Sequence, residues 1–305
     1  MHTTPQYLHP SQHFKGLGVA LVTPFKQGQV DINSFTNLLR NVAQPGGADF
    51  LTLLGTTGES PSVDEGERNL LLSTIRNQLP GMPVLLGVGD NNTARLTQKL
   101  QDPVYQTVEA LLCVVPYYNK PSQEGLYRHF CAVAEAAPAP VIIYNIPGRT
   151  GVDMQADTVV RLQEECPNII GIKEATGSVD RAAELVRRCK PHFVILSGDD
   201  HITRPLCCAG GHGVISVVGN AYPTLMKAMV EASVSGNRAE AERIDNLLSP
   251  LYKSLFAQGN PAGIKSLLHS LSVIDSQEMR LPLWPVSEEL NLRLKEEAQA
   301  ISAAL

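Results

Sequence analysis

Short apolar runs recur along this chain, each bounded by glycine, proline or polar residues and each followed by apolar positions at helical spacing. Residues 16–25, Gly-Leu-Gly-Val-Ala-Leu-Val-Thr-Pro-Phe, form a glycine-bounded run closed by proline, the pattern of a buried strand. Residues 31–43 follow with helical spacing behind Asp31 or Asn33 as cap. The alternation continues with strands at 49–54, 83–88, 108–115 and 141–144, a strand running from 168 into Lys173, and strands at 192–196 and 213–218. Between them the spacing predicts helices at 64–79, 94–100, 123–137, 156–165, 181–189 and 202–209.

Eight short strands alternating with helices, with no linker or composition break, is the arithmetic of a (β/α)8 TIM barrel of about 220 residues. The competing arrangement, a doubly wound open sheet, lacks its G-x-G-x-x-G fingerprint after the first strand. From Tyr222 onward the pattern is helical, with amphipathic segments at 239–256, 262–271 and 288–300 able to pack on the barrel or on another subunit. The expected organisation is an N-terminal arm at 1–15, a catalytic barrel at 16–235 and a C-terminal helical extension at 236–305.

Charge narrows the ligand class. A formal net charge of −5, with 25 basic residues scattered along the chain, argues against a nucleic-acid or anionic-membrane surface and for a small-molecule ligand. The six cysteines, none in a C-x-x-C pair, read as reduced thiols rather than disulfides or a zinc site. The arm is polar and has no apolar signal segment, and no run reaches the length of a membrane span, so a cytoplasmic protein is expected. His2, His9 and His13 read as part of a loose or strapped-down tail rather than a metal site.

The run Asn168-Ile169-Ile170-Gly171-Ile172-Lys173-Glu174 is the most informative. Its apolar residues read as a strand buried on both faces, which brings Lys173 out at the carboxyl end, where α/β barrels keep their chemistry. Loss of hydration lowers an ammonium pKa from about 10.4 and frees the amine to attack a ketone; a fall of about three units costs roughly 4 kcal/mol. The alternative is a lysine that snorkels to solvent or pairs with Glu174.

Other strand ends carry further candidates. Gly55-Thr56-Thr57-Gly58-Glu59-Ser60 places two hydroxyls in a glycine-bounded turn suited to a carboxylate, or else forms an ordinary loop with Ser60 or Ser62 capping the next helix. Tyr117 and Tyr118 end the fourth strand, as packing or as proton carriers. Tyr144 ends the fifth, with Arg149 five residues on, able to clamp a carboxylate or to pair with Asp153. Asp199-Asp200 reads as helix capping, since no histidine cluster or third carboxylate stands at matching strand ends to complete a metal site. His212 precedes its strand and belongs to the opposite face. An imine-forming lysine, a proton-moving phenol, hydroxyls and an arginine that hold carboxylates together describe Schiff-base aldol chemistry on 2-oxo acids.

These residues resemble the dihydrodipicolinate synthase family of the N-acetylneuraminate lyase superfamily of class I aldolases, over about residues 16–285. The resemblance rests on Gly55-Thr56-Thr57-Gly58-Glu59, on residues 116–125 (Pro-Tyr-Tyr-Asn-Lys-Pro-Ser-Gln-Glu-Gly), on residues 144–151 (Tyr-Asn-Ile-Pro-Gly-Arg-Thr-Gly), on Gly171-Ile172-Lys173-Glu174-Ala175, on Ser197-Gly198-Asp199-Asp200, and on Asn260-Pro261 with Lys265. It implies a lyase of lysine and diaminopimelate biosynthesis that condenses pyruvate with L-aspartate 4-semialdehyde. Lys173 would form the imine, Tyr144 would shuttle protons relayed through Thr56 and Tyr118, and Thr56 and Thr57 would hold the pyruvate carboxylate. Arg149 would hold the second carboxylate, and Gly198 and Ile215 would line the pocket. The tyrosine matching Tyr118 would reach into a neighbouring subunit's site, implying a homodimer or homotetramer. No cofactor is implied, because the imine is the electron sink.

Two departures are visible. Residues 103–110 lack the glycine-aspartate turn usual ahead of the fourth strand. Glu65, Arg68 and Arg95 stand where lysine-inhibited members carry histidines and a glutamate, so weak or absent inhibition by lysine is expected. The rival readings are a lyase of sugar-derived 2-oxo acids, against which Thr57 and Arg149 speak, a barrel that has lost catalysis, against which Lys173 and Tyr144 speak, and a metal-dependent hydrolase.

Overall fold

Parallel strands buried on both faces need helices on one side and a filled interior on the other, and the computed structural model, which describes residues 9–305, supplies both. The strands β1 (Gly16–Ala20), β2 (Phe50–Leu53), β3 (Val84–Val88), β4 (Ala110–Val114), β5 (Val141–Asn145), β6 (Ile169–Glu174), β7 (Val194–Ser197) and β8 (Gly213–Ser216) close into a barrel, β8 pairing back onto β1. This is the expected (β/α)8 TIM barrel. Around it run α1 (Ile32–Val42), α2 (Glu65–Gln78), α3 (Thr93–Lys99), α4 (Gln123–Ala136), the turn α5 (Pro147–Thr150), α6 (Ala156–Glu165), α7 (Val179–Arg188) and α8 (Thr203–Cys208). Then come α9 (Pro223–Ser235), α10 (Arg238–Ser254), α11 (Ala262–Ser270) and α12 (Glu288–Ala303). The two-residue strands Phe25–Lys26 and Gln29–Val30 form a small antiparallel ribbon that the hydropathy pattern does not predict, being too short to leave a period in the sequence.

Helix starts follow cap chemistry. Asp31 accepts from the N–H groups of Asn33 and Ser34, both at 3.1 Å, at the head of α1. At α2 the cap is Asp64, reciprocated by Glu67 in a capping box, rather than Ser60 or Ser62, which form a separate 3-10 turn. The segment ahead of β4 that departs from the family pattern is another 3-10 turn, Pro103–Gln106. Asp102 caps it, and the Arg68 guanidinium reaches Asp102 at 2.6 Å and the Tyr105 hydroxyl at 3.3 Å.

The described part of the arm is strapped down. Residues Pro10–Phe14 make a 3-10 turn, and Phe14, fully buried, meets Phe50 edge to face at 5.3 Å and closes the floor of the barrel. His9 stacks tilted against His192, His13 is exposed, and His2 lies outside the described residues. At the same end the ring of His212 accepts from the Ile195 N–H at 3.1 Å, so this histidine works in the frame. The six cysteines are free thiols. Among the described residues no helix is long and apolar enough to cross a membrane, and no three His, Cys, Asp or Glu side chains gather as metal ligands.

One irregularity decides which way the lysine strand faces. On β5, Ile142 and Tyr144 point into the barrel while Val141 and Ile143 point toward the helices. Val141 pairs with Ile169, but Ile142 pairs with Gly171, so Ile170 is an inserted residue that also faces inward. After this bulge the alternation is reversed: Ile172 faces the helices and Lys173 the interior. Without it the strict period of two would send Lys173 outward. Gly171 makes the bulge fit, since a Cβ there would lie 2.3 Å from Val194 Cγ2. Gly171→Ala is therefore expected to cost about 1–3 kcal/mol by overpacking and to misplace the lysine. Thermal melting paired with borohydride trapping of a 2-oxo acid on Lys173 checks both effects.

Candidate active site

Lys173 is only 6% exposed, and no ion pair or hydrogen bond holds its ammonium among the described residues. Alternation separates it from Glu174, which lies on the far side of β6. That carboxylate accepts from the Thr176 N–H at 3.0 Å and from Asn145 Nδ2 at 3.4 Å, with Arg181 Nε at 3.8 Å. Burial raises the Glu174 carboxyl above its ordinary range, against the pull of Thr176 and Arg181. The lysine–glutamate pair admitted by the sequence is thus not formed. What faces Lys173 is Tyr144, its register partner on β5, with the ammonium 4.2 Å from the ring centroid. The ring is nearly buried, and its hydroxyl has no hydrogen-bond partner among the described residues, so both its donor and its acceptor are open to a bound molecule.

The hydroxyl loop leaves β2 through Leu54, whose φ is 54°, into the 3-10 turn Thr56–Gly58 and then Glu59, whose φ is 55°. Left-handed backbone at two side-chain-bearing residues is unfavourable and needs tertiary support. Thr23 Oγ1 donates to the Gly58 carbonyl at 2.7 Å. The fully buried Lys265 ammonium of α11 pairs with the equally buried Glu59 carboxylate, which also accepts from the Arg280 N–H at 3.3 Å. Lys265 donates to the Glu278 carbonyl at 2.8 Å and sits 4.4 Å from the centre of the Phe25 ring, with Arg280 at 4.4 Å from the same centre. Burial pulls the Lys265 ammonium down to about 8, the Glu59 carboxylate opposing the fall. Finally, Asn260 Nδ2 donates to Thr57 Oγ1 at 3.0 Å.

Ile215 of β8 is fully buried in the inner cluster with Tyr144. The Gly198 N–H donates to the Glu174 carbonyl at 2.8 Å, and a Cβ on Gly198 would lie 2.5 Å from Ala175 Cβ, so the ends of β6 and β7 close only over glycine. Asp200 does cap, but not its own helix. Its buried carboxylate accepts from Ser216 Oγ at 2.5 Å and from the Val217 and Val218 N–H groups at 3.0 Å, tying the exits of β7 and β8 together. At the rim, Arg149 is exposed and has no ion-pair partner among the described residues. Asp153, its sequence alternative, instead accepts from Asn145 at 2.8 Å and faces Arg181 at 3.6 Å. Tyr118, with φ of 73°, is 87% exposed, and no hydrogen bond joins it to Thr56 or Tyr144 within this chain.

The barrel thus brings Lys173, Tyr144, Ile215, Gly198 and the Thr56–Thr57 loop to the carboxyl ends of its strands, with Arg149 and Tyr118 outside them on the rim. Sequence reasoning assigned no role to Asn260, Lys265 or Asn145. The first two lie about 200 residues from the loop they hold, and only their place in a shared motif pointed to them.

The sequence profile of the dihydrodipicolinate synthetase family matches residues 13–301. A 4-hydroxy-tetrahydrodipicolinate synthase of Porphyromonas gingivalis is 45% identical over 276 residues, covering 90% of this chain and 93% of the relative. One from Flavobacterium psychrophilum is 43% identical over 285 residues, 93% and 97% of the two chains. The crystal structure of dihydrodipicolinate synthase from Thermotoga maritima superposes with a TM-score of 0.91 at 38% identity, covering 94% of this chain and 98% of that one. A structure described as the first monomeric dihydrodipicolinate synthase variant gives a TM-score of 0.92 at 38% identity, over 96% and 98%. With the family's profile matched almost end to end and relatives more than 40% identical over nine-tenths of its length, this chain belongs to the dihydrodipicolinate synthetase family.

Proposed function

We propose that this chain condenses pyruvate with L-aspartate 4-semialdehyde to 4-hydroxy-tetrahydrodipicolinate through an imine on Lys173. The observation that carries this reading is the nearly buried Lys173 ammonium, unpaired by any carboxylate and faced by the Tyr144 ring at 4.2 Å. The relatives' shared name, 4-hydroxy-tetrahydrodipicolinate synthase, supports the choice of reaction.

Lys173, as the neutral amine, adds to the C2 carbonyl of pyruvate, and loss of water leaves the imine. Removal of a methyl proton gives the enamine, whose carbon attacks the semialdehyde's carbonyl. The new alkoxide takes a proton, and the semialdehyde's amino group then adds to the imine carbon and displaces Lys173 as the ring closes. Tyr144 is the group within reach of the imine nitrogen that can carry these protons, with Thr56 next in the relay. Thr56 and Thr57 bind the pyruvate carboxylate, Arg149 binds that of the second substrate at the mouth, and Gly198 and Ile215 supply the walls. Tyr118 completes the relay in a neighbouring copy. Its 87% exposure on left-handed backbone supports a projecting contact and hence a homodimer or homotetramer. Six free thiols suit a reducing cytoplasm.

Borohydride reduction with pyruvate, followed by peptide mass spectrometry, is expected to place a pyruvyl adduct on Lys173. Lys173→Ala should abolish the adduct and lower turnover at least about a thousandfold; an adduct elsewhere, or none, overturns the mechanism. Arg149→Ala is expected to raise the semialdehyde KM by about ten- to a hundredfold, the loss of one charge-assisted carboxylate contact, while pyruvate trapping stays intact. L-Lysine is expected to inhibit weakly or not at all. Arg68 is committed to Asp102 and Tyr105, and Arg95, 65% exposed beside Asp90, adds a second cation where an ammonium would have to bind. Steady-state rates across a lysine titration check this, and an IC50 in the micromolar range would contradict it.

A further inference from the structure

The motif Asn260-Pro261 with Lys265 sits in the helical extension, far in sequence from the barrel chemistry, yet two of its side chains end on the one loop that carries Thr56 and Thr57. Lys265 and Glu59 fix where the loop lies. Asn260 does something more specific, because its contact is with the hydroxyl of Thr57 itself.

That contact has a polarity. Asn260 Nδ2 donates to Thr57 Oγ1 at 3.0 Å, with Thr57 only 3% and Asn260 only 7% exposed. A hydroxyl has one proton and two lone pairs, so accepting from an amide leaves its proton free to donate elsewhere. The other half of the amide is unused: Asn260 Oδ1 is buried and has no partner among the described residues. A buried amide engaged only through its N–H, at the cost of an orphaned carbonyl, is held there for that N–H. Were the interaction reversed, Thr57 would spend its proton on the asparagine and face an anionic substrate with lone pairs.

We infer that Asn260 is a positioning residue for the substrate's carboxylate, fixing Thr57 as a hydrogen-bond donor into the site. The inference rests on Thr57 binding the pyruvate carboxylate, and it makes the helical extension a working part of that subsite.

Asn260→Asp preserves shape and inverts polarity, since a carboxylate can only accept. In the purified full-length enzyme it is expected to raise the pyruvate KM by about tenfold or more, with kcat changed less than about threefold and the semialdehyde KM unmoved. The ratio of variant to wild-type KM should fall as the pH drops and the aspartate protonates and regains a donor, a response that mere packing loss does not give. Asn260→Ala guards against misfolding of the aspartate variant, and it should raise the pyruvate KM in the wild type but not in a Thr57→Val background. Folded Asn260 variants with wild-type pyruvate KM, or with losses that add in full to those of Thr57→Val, overturn the inference. If Thr57→Val itself leaves the pyruvate KM unchanged, the assignment of Thr57 falls first and this inference with it.

Discussion

The one-residue insertion at Ile170 governs the structure around it, because a strand has only two faces and the insertion exchanges them. Upstream, β6 is an ordinary buried barrel strand; downstream, the residue that would have met the helices meets the interior instead. An ammonium facing the helices could have found a carboxylate there, as Arg181 finds Glu174 and Asp153. Turned inward it finds an aromatic face and inner-layer aliphatic side chains. The same step turns Glu174 outward into the Asn145 and Thr176 bonds that brace the strand end from behind. A single backbone irregularity thus sorts an acid and a base into separate environments although they are adjacent in sequence.

The placement of the second half of the site has a different physical basis. The hydroxyl loop holds two left-handed residues, and the barrel alone supplies few groups to fix them. The extension contributes a buried ion pair, an amide and a backbone N–H. A buried pair is weak evidence of added stability, because desolvation of both charges offsets much of their attraction. Here the Glu278 carbonyl and the Phe25 ring take up the remaining valences of the ammonium, so the pair works as a joint of defined geometry between two parts of the chain.

Much of this was legible beforehand, for reasons that are local. Strand β5 and the strand carrying Lys173 announce themselves as apolar runs, and a strand end is a place in the sequence as much as in space. The convergence of Tyr144 and Lys173 at the ends of neighbouring strands followed from barrel topology, and the rim position of Arg149 from its loop, whereas its freedom from Asp153 did not. What stayed hidden needed information that a linear pattern does not hold. Alternation read through Ile169-Ile170-Gly171-Ile172 gives no sign of which residue is the insertion, because all of them are apolar or featureless. The capping role of Asp200 lies across to the next strand rather than along its own helix. Asp64, not Ser60 or Ser62, starts α2: Ser62 and Asp64 each have a glutamate three residues on, but the serines are taken up in their own 3-10 turn and only Asp64 closes the reciprocal bond, with Glu67.

The aromatic plug beneath the barrel has its own consequence. With Phe14 wedged against Phe50, the amino-terminal end of the barrel is stopped by two buried aromatic rings. On the proposed mechanism, the water released when the Lys173 amine condenses with a ketone leaves by the carboxyl-end mouth, where the second reactant enters. On that mechanism the guest joined to the lysine is seated, and dehydrated, before the shallower one arrives, so the closed floor and the imine chemistry favour the same order of events.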